Sequence, residues 1–168
     1  MANMIPISTV TVGSGGVANI SFTGIPQTYT DLLIMNSVRT SRSAVHESLL
    51  MSFNNTTSNR SNVRLYGTGS SATSTSDTVM YGGQATGATA TASTFGNSIV
   101  YIPNYAGSNN KSSLEDATSE NNAAAILMTI NANLWSNTAP INSITLTPEN
   151  SGTIQQYSTV TLYGIRKY

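Results

Sequence analysis

The sequence predicts an all-β protein: a single antiparallel β-sandwich, jelly-roll-like. Three observations predict it. Short runs of alternating apolar and polar residues recur along the chain. Turn residues separate them at intervals of about 8–12 residues, giving nine or ten short strands. The strongest run, Tyr157 to Ile165, lies at the C-terminus. There Val160 and Leu162 share one face and Thr159, Thr161, Tyr163 and Ile165 the other, and all favour a pleated surface. A terminal strand of this strength must pair far back in the sequence, so it is expected beside a strand from the first forty residues.

Taken in order, Met4 to Thr11 is apolar and β-branched but contains Pro6, which confines it to an edge strand or an arm. Residues 1–16 therefore form an N-terminal arm or edge strand ending in the Gly13–Gly16 turn, and 17–168 the sandwich domain. Val17 to Thr23 alternates, and Gly24-Ile25-Pro26 stops it. Asp31 to Val38 is apolar on both faces at its centre, the profile of an inner strand. Arg39 to Ser43 is a polar loop with two arginines. Ser48 to Phe53 puts Leu49, Met51 and Phe53 on one face, and a short strand follows with Val63 and Leu65 on one face and Tyr66 on the other. Gly67 to Asn97 is rich in Gly, Ser, Thr and Ala; it reads as a long surface loop with one β-like island at Thr78–Tyr81. Ser98 to Pro103 and Ala123 to Asn131 are further strands, the stretch from Glu115 to Ile130 being the one with a helical period as an alternative. Ile141 to Ile165 reads as two strands joined by a turn at Pro148–Gly152.

Composition narrows function. The chain has 168 residues, one domain's worth with a sizeable core. Charged residues are 8 % and the net charge is zero, which argues against nucleic-acid binding, since that needs a basic surplus. Ser, Thr, Asn and Gln must supply solubility, which suits a surface packed against copies of itself or other proteins. There is no cysteine, hence no disulfide or thiolate chemistry. No run is long enough for a membrane span, and the N-terminus lacks the features of a signal peptide. Synthesis in the cytoplasm is expected.

Signals for chemistry are weak. The one histidine, His46, adjoins Glu47, and neighbours on a strand face opposite ways. No Gly-x-Ser-x-Gly elbow is present. Gly67-Thr68-Gly69-Ser70-Ser71-Ala72 matches a dinucleotide fingerprint literally, but a Ser/Thr tract follows where a helix is needed. Glu115, Asp116 and Glu120 cluster with Asn121 and Asn122, a set of hard-cation ligands without EF-hand spacing; a solvated acidic loop is the simpler reading. Eight tyrosines could stack on sugars, though sheet packing accounts for most. No catalytic residue, cofactor site or metal site is expected.

Several segments together resemble one family. They are Gly24-Ile25-Pro26-Gln27-Thr28-Tyr29-Thr30-Asp31-Leu32, Ser37-Val38-Arg39, Phe53-Asn54, Ile102-Pro103-Asn104-Tyr105 leading to Asn110-Lys111, Trp135, Ile141 to Leu146, and the closing Leu162-Tyr163-Gly164-Ile165. Over about Val17 to Arg166 the chain resembles small β-sandwich structural proteins of tailed bacteriophages. The resemblance implies a virion protein with no enzymatic activity. Its roles are capsid decoration or cement, or a tail-fibre or receptor-binding domain that recognises host surface glycan. The lack of a trimerising stalk in the chain favours decoration, and sparse acids disfavour a depolymerase. The expected partners are itself, as a homotrimer, and the major capsid protein or another virion protein. Met4, Ile5 and Ile7 are the candidate interface residues, on an arm able to add a strand to a neighbour's edge. The alternative is that they form the first edge strand of their own sandwich.

Overall fold

The structure, a computed structural model, describes residues 3–122 and 126–166. Twelve strands form two antiparallel sheets, and no helix occurs among the described residues. The strands are β1 (Asn3–Thr11), β2 (Ile20–Thr23), β3 (Asp31–Val38), β4 (His46–Phe53), β5 (Arg60–Gly67), β6 (Ala72–Asp77), β7 (Tyr81–Thr86), β8 (Gly96–Ile102), β9 (Lys111–Thr118), β10 (Met128–Trp135), β11 (Ser143–Pro148) and β12 (Thr159–Arg166).

The four-stranded sheet runs β2-β11-β4-β7, and the eight-stranded sheet runs β1-β12-β3-β8-β9-β10-β5-β6. From β1 to β4, again from β7 to β8, and from β11 to β12, the chain changes sheet at every step. The remaining four strands form two hairpin-like pairs, β5–β6 and β9–β10, which extend the large sheet as a wing. As the terminal run requires, β12 pairs with β1 on one side and β3 on the other, both from the first forty residues.

The core lies where the sheets face each other. Leu32, Ile34, Val100, Ile102, Val160 and Leu162 come from the large sheet, and Ile20, Phe22, Leu49, Met51, Phe53, Ile144 and Leu146 from the small one. Trp135 closes one end, its ring edge-on to Phe53 with centroids 5.7 Å apart. Gly164 of the closing Leu-Tyr-Gly-Ile is required by close packing: a Cβ there would stand 2.3 Å from the Tyr29 ring.

Several expectations are corrected. The Gly67–Asn97 stretch is not a long loop. It holds β6, β7 and the start of β8, and the Thr78–Tyr81 island is mostly the connection between β6 and β7. The small residues of β7 are there because it is buried along its whole length, packed against β8 and β9. A Cβ on Gly82 would come within 2.5 Å of Leu146. No helix occurs among the described residues of 115–130: β9 ends at Thr118 and β10 starts at Met128. The strand expected from Ala123 begins partly outside the described residues, since 123–125 are not among them. Finally, β11 and β12 are not a hairpin, because they belong to different sheets. Backbone pairing with β2 and β4 holds β11 in the other layer.

Candidate functional site: two faces of the wing

The wing inverts the usual distribution of polarity. Partners in register point the same way across a sheet, so rows of side chains can be followed from strand to strand. On the outer face one row runs Tyr163, Leu33, Tyr101, Leu114, Ala132, Val63. The next runs Met35, Ile99, Asp116, Ile130, Leu65. Met128 and Leu134 lie on the same face. Asp116 is the one charge within these rows. Eight residues of this face (Met35, Val63, Leu65, Ile99, Leu114, Met128, Ile130 and Leu134) are 37–62 % exposed. They leave on the order of 700 Å² of surface open, more than the ~300–600 Å² of the largest patch on a typical monomer and close to the ~800 Å² each partner contributes to a standard interface.

The inner face does the opposite. The row beginning Leu162, Ile34, Val100 is apolar under the small sheet, then continues Glu115, Asn131, Arg64, Thr75. The small sheet ends at β7, so there is no second apolar layer to face β10, β5 and β6. A hydrogen-bonded polar layer takes its place. Asn62 Nδ2 donates to Asn133 Oδ1 at 3.0 Å, and Asn133 exchanges bonds with the Tyr81 backbone, 3.0 Å each way. Asn133 Nδ2 also donates to Ser113 Oγ, 3.2 Å. The Glu115 carboxylate accepts from Thr129 Oγ1 (3.2 Å) and from Asn131 Nδ2. Its burial pushes its pKa up to about 7, against the lowering effect of those bonds and of Arg64. Buried polar groups are tolerated only when partnered in this way.

Toward β6 this layer opens into a cleft of about 300 Å³. The floor is Arg64, Tyr66 and Thr75; His46 and Ser48 of β4, Arg42, Leu127 and Glu149 form the walls. The Arg64 guanidinium lies over two aromatic rings, Cζ being 5.2 Å from the Tyr66 centroid and 4.8 Å from that of Tyr81. Burial, with the charges of Arg42 and Arg64, holds the His46 imidazole below its ordinary pKa, so it is neutral at pH 7. Burial, the Glu149 charge and a hydrogen bond to Asp77 raise the pKa of the Tyr81 phenol to about 12.

The residues singled out from the sequence fall as follows. Met4, Ile5 and Ile7 lie on β1, which pairs along its length with β12 as the edge of its own sheet, with a bulge between Pro6 and Ser8. Of the two readings of this segment, the structure shows the edge strand. Met4 is exposed, while Ile7 packs against the core. The other edge of β1 is open. His46 and Glu47 diverge: His46 faces the cleft, and Glu47 is fully buried, accepting from the Asn150 N–H at 2.9 Å. Glu115 and Asp116 point to opposite faces of β9 and do not converge on one site. No group of three or more potential metal ligands occurs among the described residues. Gly67–Ala72 is the tight β5–β6 turn, closed by Thr68 N–H to Ser71 O, and opens no helix. Sequence reasoning missed Arg42 and Arg64. It could have noted the alternation in Met128–Trp135, where every second residue is apolar and those between are Thr and Asn, but not which face would be covered.

No helix of the described residues is long and apolar enough to cross a membrane. No family model, curated protein or solved structure matches the chain.

Proposed function

We propose that the protein is a non-enzymatic structural protein of a tailed-bacteriophage virion, a capsid decoration or cement protein that assembles as a homotrimer through the outer face of its wing. The observation that carries this reading is the exposed apolar face. Its occupant is another copy of the same chain. The face holds almost no charge, so copies meet without repulsion, and it is larger than the apolar patch a typical monomer leaves open. Three such faces turned to a common axis close the assembly without leaving an apolar patch free. The alternation of β1–β4, β7–β8 and β11–β12 between sheets is read as jelly-roll connectivity, an architecture used in viral capsids and lectins. The resemblance to small phage β-sandwich proteins supplies the virion context, with the major capsid protein as the neighbouring surface.

The test is sedimentation velocity on the purified chain and on the double variant Leu65→Asp, Ile130→Asp, whose positions are register partners at the centre of the face. The expected result is a trimer for the native chain, and a monomer that still melts cooperatively for the variant. A native chain that stays monomeric at high micromolar concentration overturns the assembly reading. A second reading, a tail-fibre or receptor-binding domain recognising host glycan, is favoured by the polar cleft. Copy number on a stained virion gel separates the two: hundreds for decoration, a handful to tens for a fibre.

A further inference from the structure

We infer that the cleft between the start of β4 and the inner face of β5 and β6 is a binding site for a carboxylated sugar, its carboxylate held by Arg64 and Arg42. This goes beyond the assembly reading and does not depend on it, since the cleft and the apolar face lie on opposite sides of the wing.

The chain has seven Lys and Arg residues, and most of those described have visible work. Arg39 donates to the carbonyls of Ala88, Ala90, Thr91 and Thr94. Lys111 donates to the carbonyls of Gly107, Asn109 and Thr138. Arg60 reaches the Met51 carbonyl, and Arg166 lies over the Tyr29 ring. Arg42 and Arg64 face the cleft instead, Arg64 with ring contacts to Tyr66 and Tyr81. Neither guanidinium has a hydrogen-bond acceptor or an ion pair among the described residues. Arg64 Nε is a buried donor with no hydrogen-bond partner among the described residues. Such a group is costly to leave unsatisfied.

The geometry is that of a prepared receptor. The Arg64 Cζ lies over both the Tyr66 ring and the Tyr81 ring, 5.2 and 4.8 Å from their centroids, contacts that restrict where the guanidinium sits. A planar fork of donors matches a carboxylate bidentately. With His46 neutral, the lining charges are Arg42, Arg64 and Glu149, one positive in excess, which suits a monoanion. The volume of about 300 Å³ accommodates a sugar ring rather than a bare ion. The half-buried Tyr66 offers apolar ring surface to the C–H face of a pyranose. Thr75 can exchange hydrogen bonds with ring hydroxyls, and the exposed Glu149 carboxylate can accept from them.

The experiment is an NMR titration of the isotope-labelled native chain with four probes. They are methyl β-D-glucuronide, N-acetylneuraminic acid, methyl β-D-glucoside as the neutral counterpart, and sodium acetate as the bare carboxylate. The expected result is saturable shifts at His46–Ser48, Arg64–Tyr66 and Thr75 with at least one acidic sugar. Glucoside should bind about tenfold more weakly or worse, the change expected from losing one charge-assisted hydrogen bond, and acetate, which keeps the carboxylate but lacks the ring contacts, should also bind about tenfold more weakly or worse. Arg42→Ala should weaken binding by about the same factor, with its melting temperature unchanged. Arg64→Lys, which keeps the charge but loses the fork, should also weaken it. The inference is overturned by no shifts with either acidic sugar, by acetate binding as tightly as the sugars, or by full affinity in Arg42→Ala.

Discussion

Glu115 shows how a single residue reports on the inverted wing. It is fully buried on β9, next in its row to Val100 on one side and Asn131 on the other. Burial raises its pKa from 4.5 to about 7. The folded state therefore holds this proton more tightly than the unfolded chain does. The group's contribution to stability is greatest below pH 4.5, falls as pH rises toward 7, and levels off above it. The gap corresponds to about 3 kcal/mol. Glu115→Gln keeps an acceptor for Thr129 and removes the charge. The expected outcome is a variant that melts higher than the native chain above neutrality and loses that advantage on acidification. Thermal melts across pH check this; a melting-temperature gap between Glu115→Gln and the native chain that does not widen from about pH 5 to pH 8 rejects it.

At the scale of the element, β1 decides how the large sheet ends. Its backbone covers β12 from Asn3 to Thr11, and Ile7 and Val10 pack against the core. Removing Met1–Thr11 exposes the flank of β12, which carries Val160 and Leu162 of the core. The expected outcome is a clear fall in melting temperature of the isolated domain. An unchanged melting temperature with lost oligomer or capsid attachment would instead assign the segment to a neighbour. Pro6 sits where proline is allowed, on a strand with one unpaired side. At the opposite edge β6, Ala72–Asp77, is exposed at every residue and made of small polar side chains. That composition weakens its appeal as a template for stray strand addition.

At the scale of the whole molecule, the sandwich and the wing divide the work: the first holds the core, and the second presents one apolar and one polar surface. The purified protein is expected to release no reducing sugar from host polysaccharide. Reproducible release, abolished by a Glu→Gln change, rejects the non-enzymatic reading. Of the acids that could serve a glycosidase, Glu115 and Glu47 are buried and Asp116 lies on the opposite face.

The sequence by itself determined the all-β class, the inner strand Asp31–Val38, the apolar face of Leu49, Met51 and Phe53, and the distant partners of the closing strand. These follow from local alternation and from the need of a long apolar strand for neighbours on both sides. The Gly/Ser/Thr-rich strands β6 and β7 escaped it, because small residues signal loops; close packing demands them in β7, while the exposed β6 is a strand through its pairing with β5. It also left open which face of Met128–Trp135 meets solvent. Alternation shows that a strand has two chemically different faces, but burial depends on what lies opposite. Only the tertiary structure, by ending the small sheet at β7, put the Asn and Glu residues of the wing inside and its Leu, Ile and Met residues outside, and so created both the apolar face and the cleft.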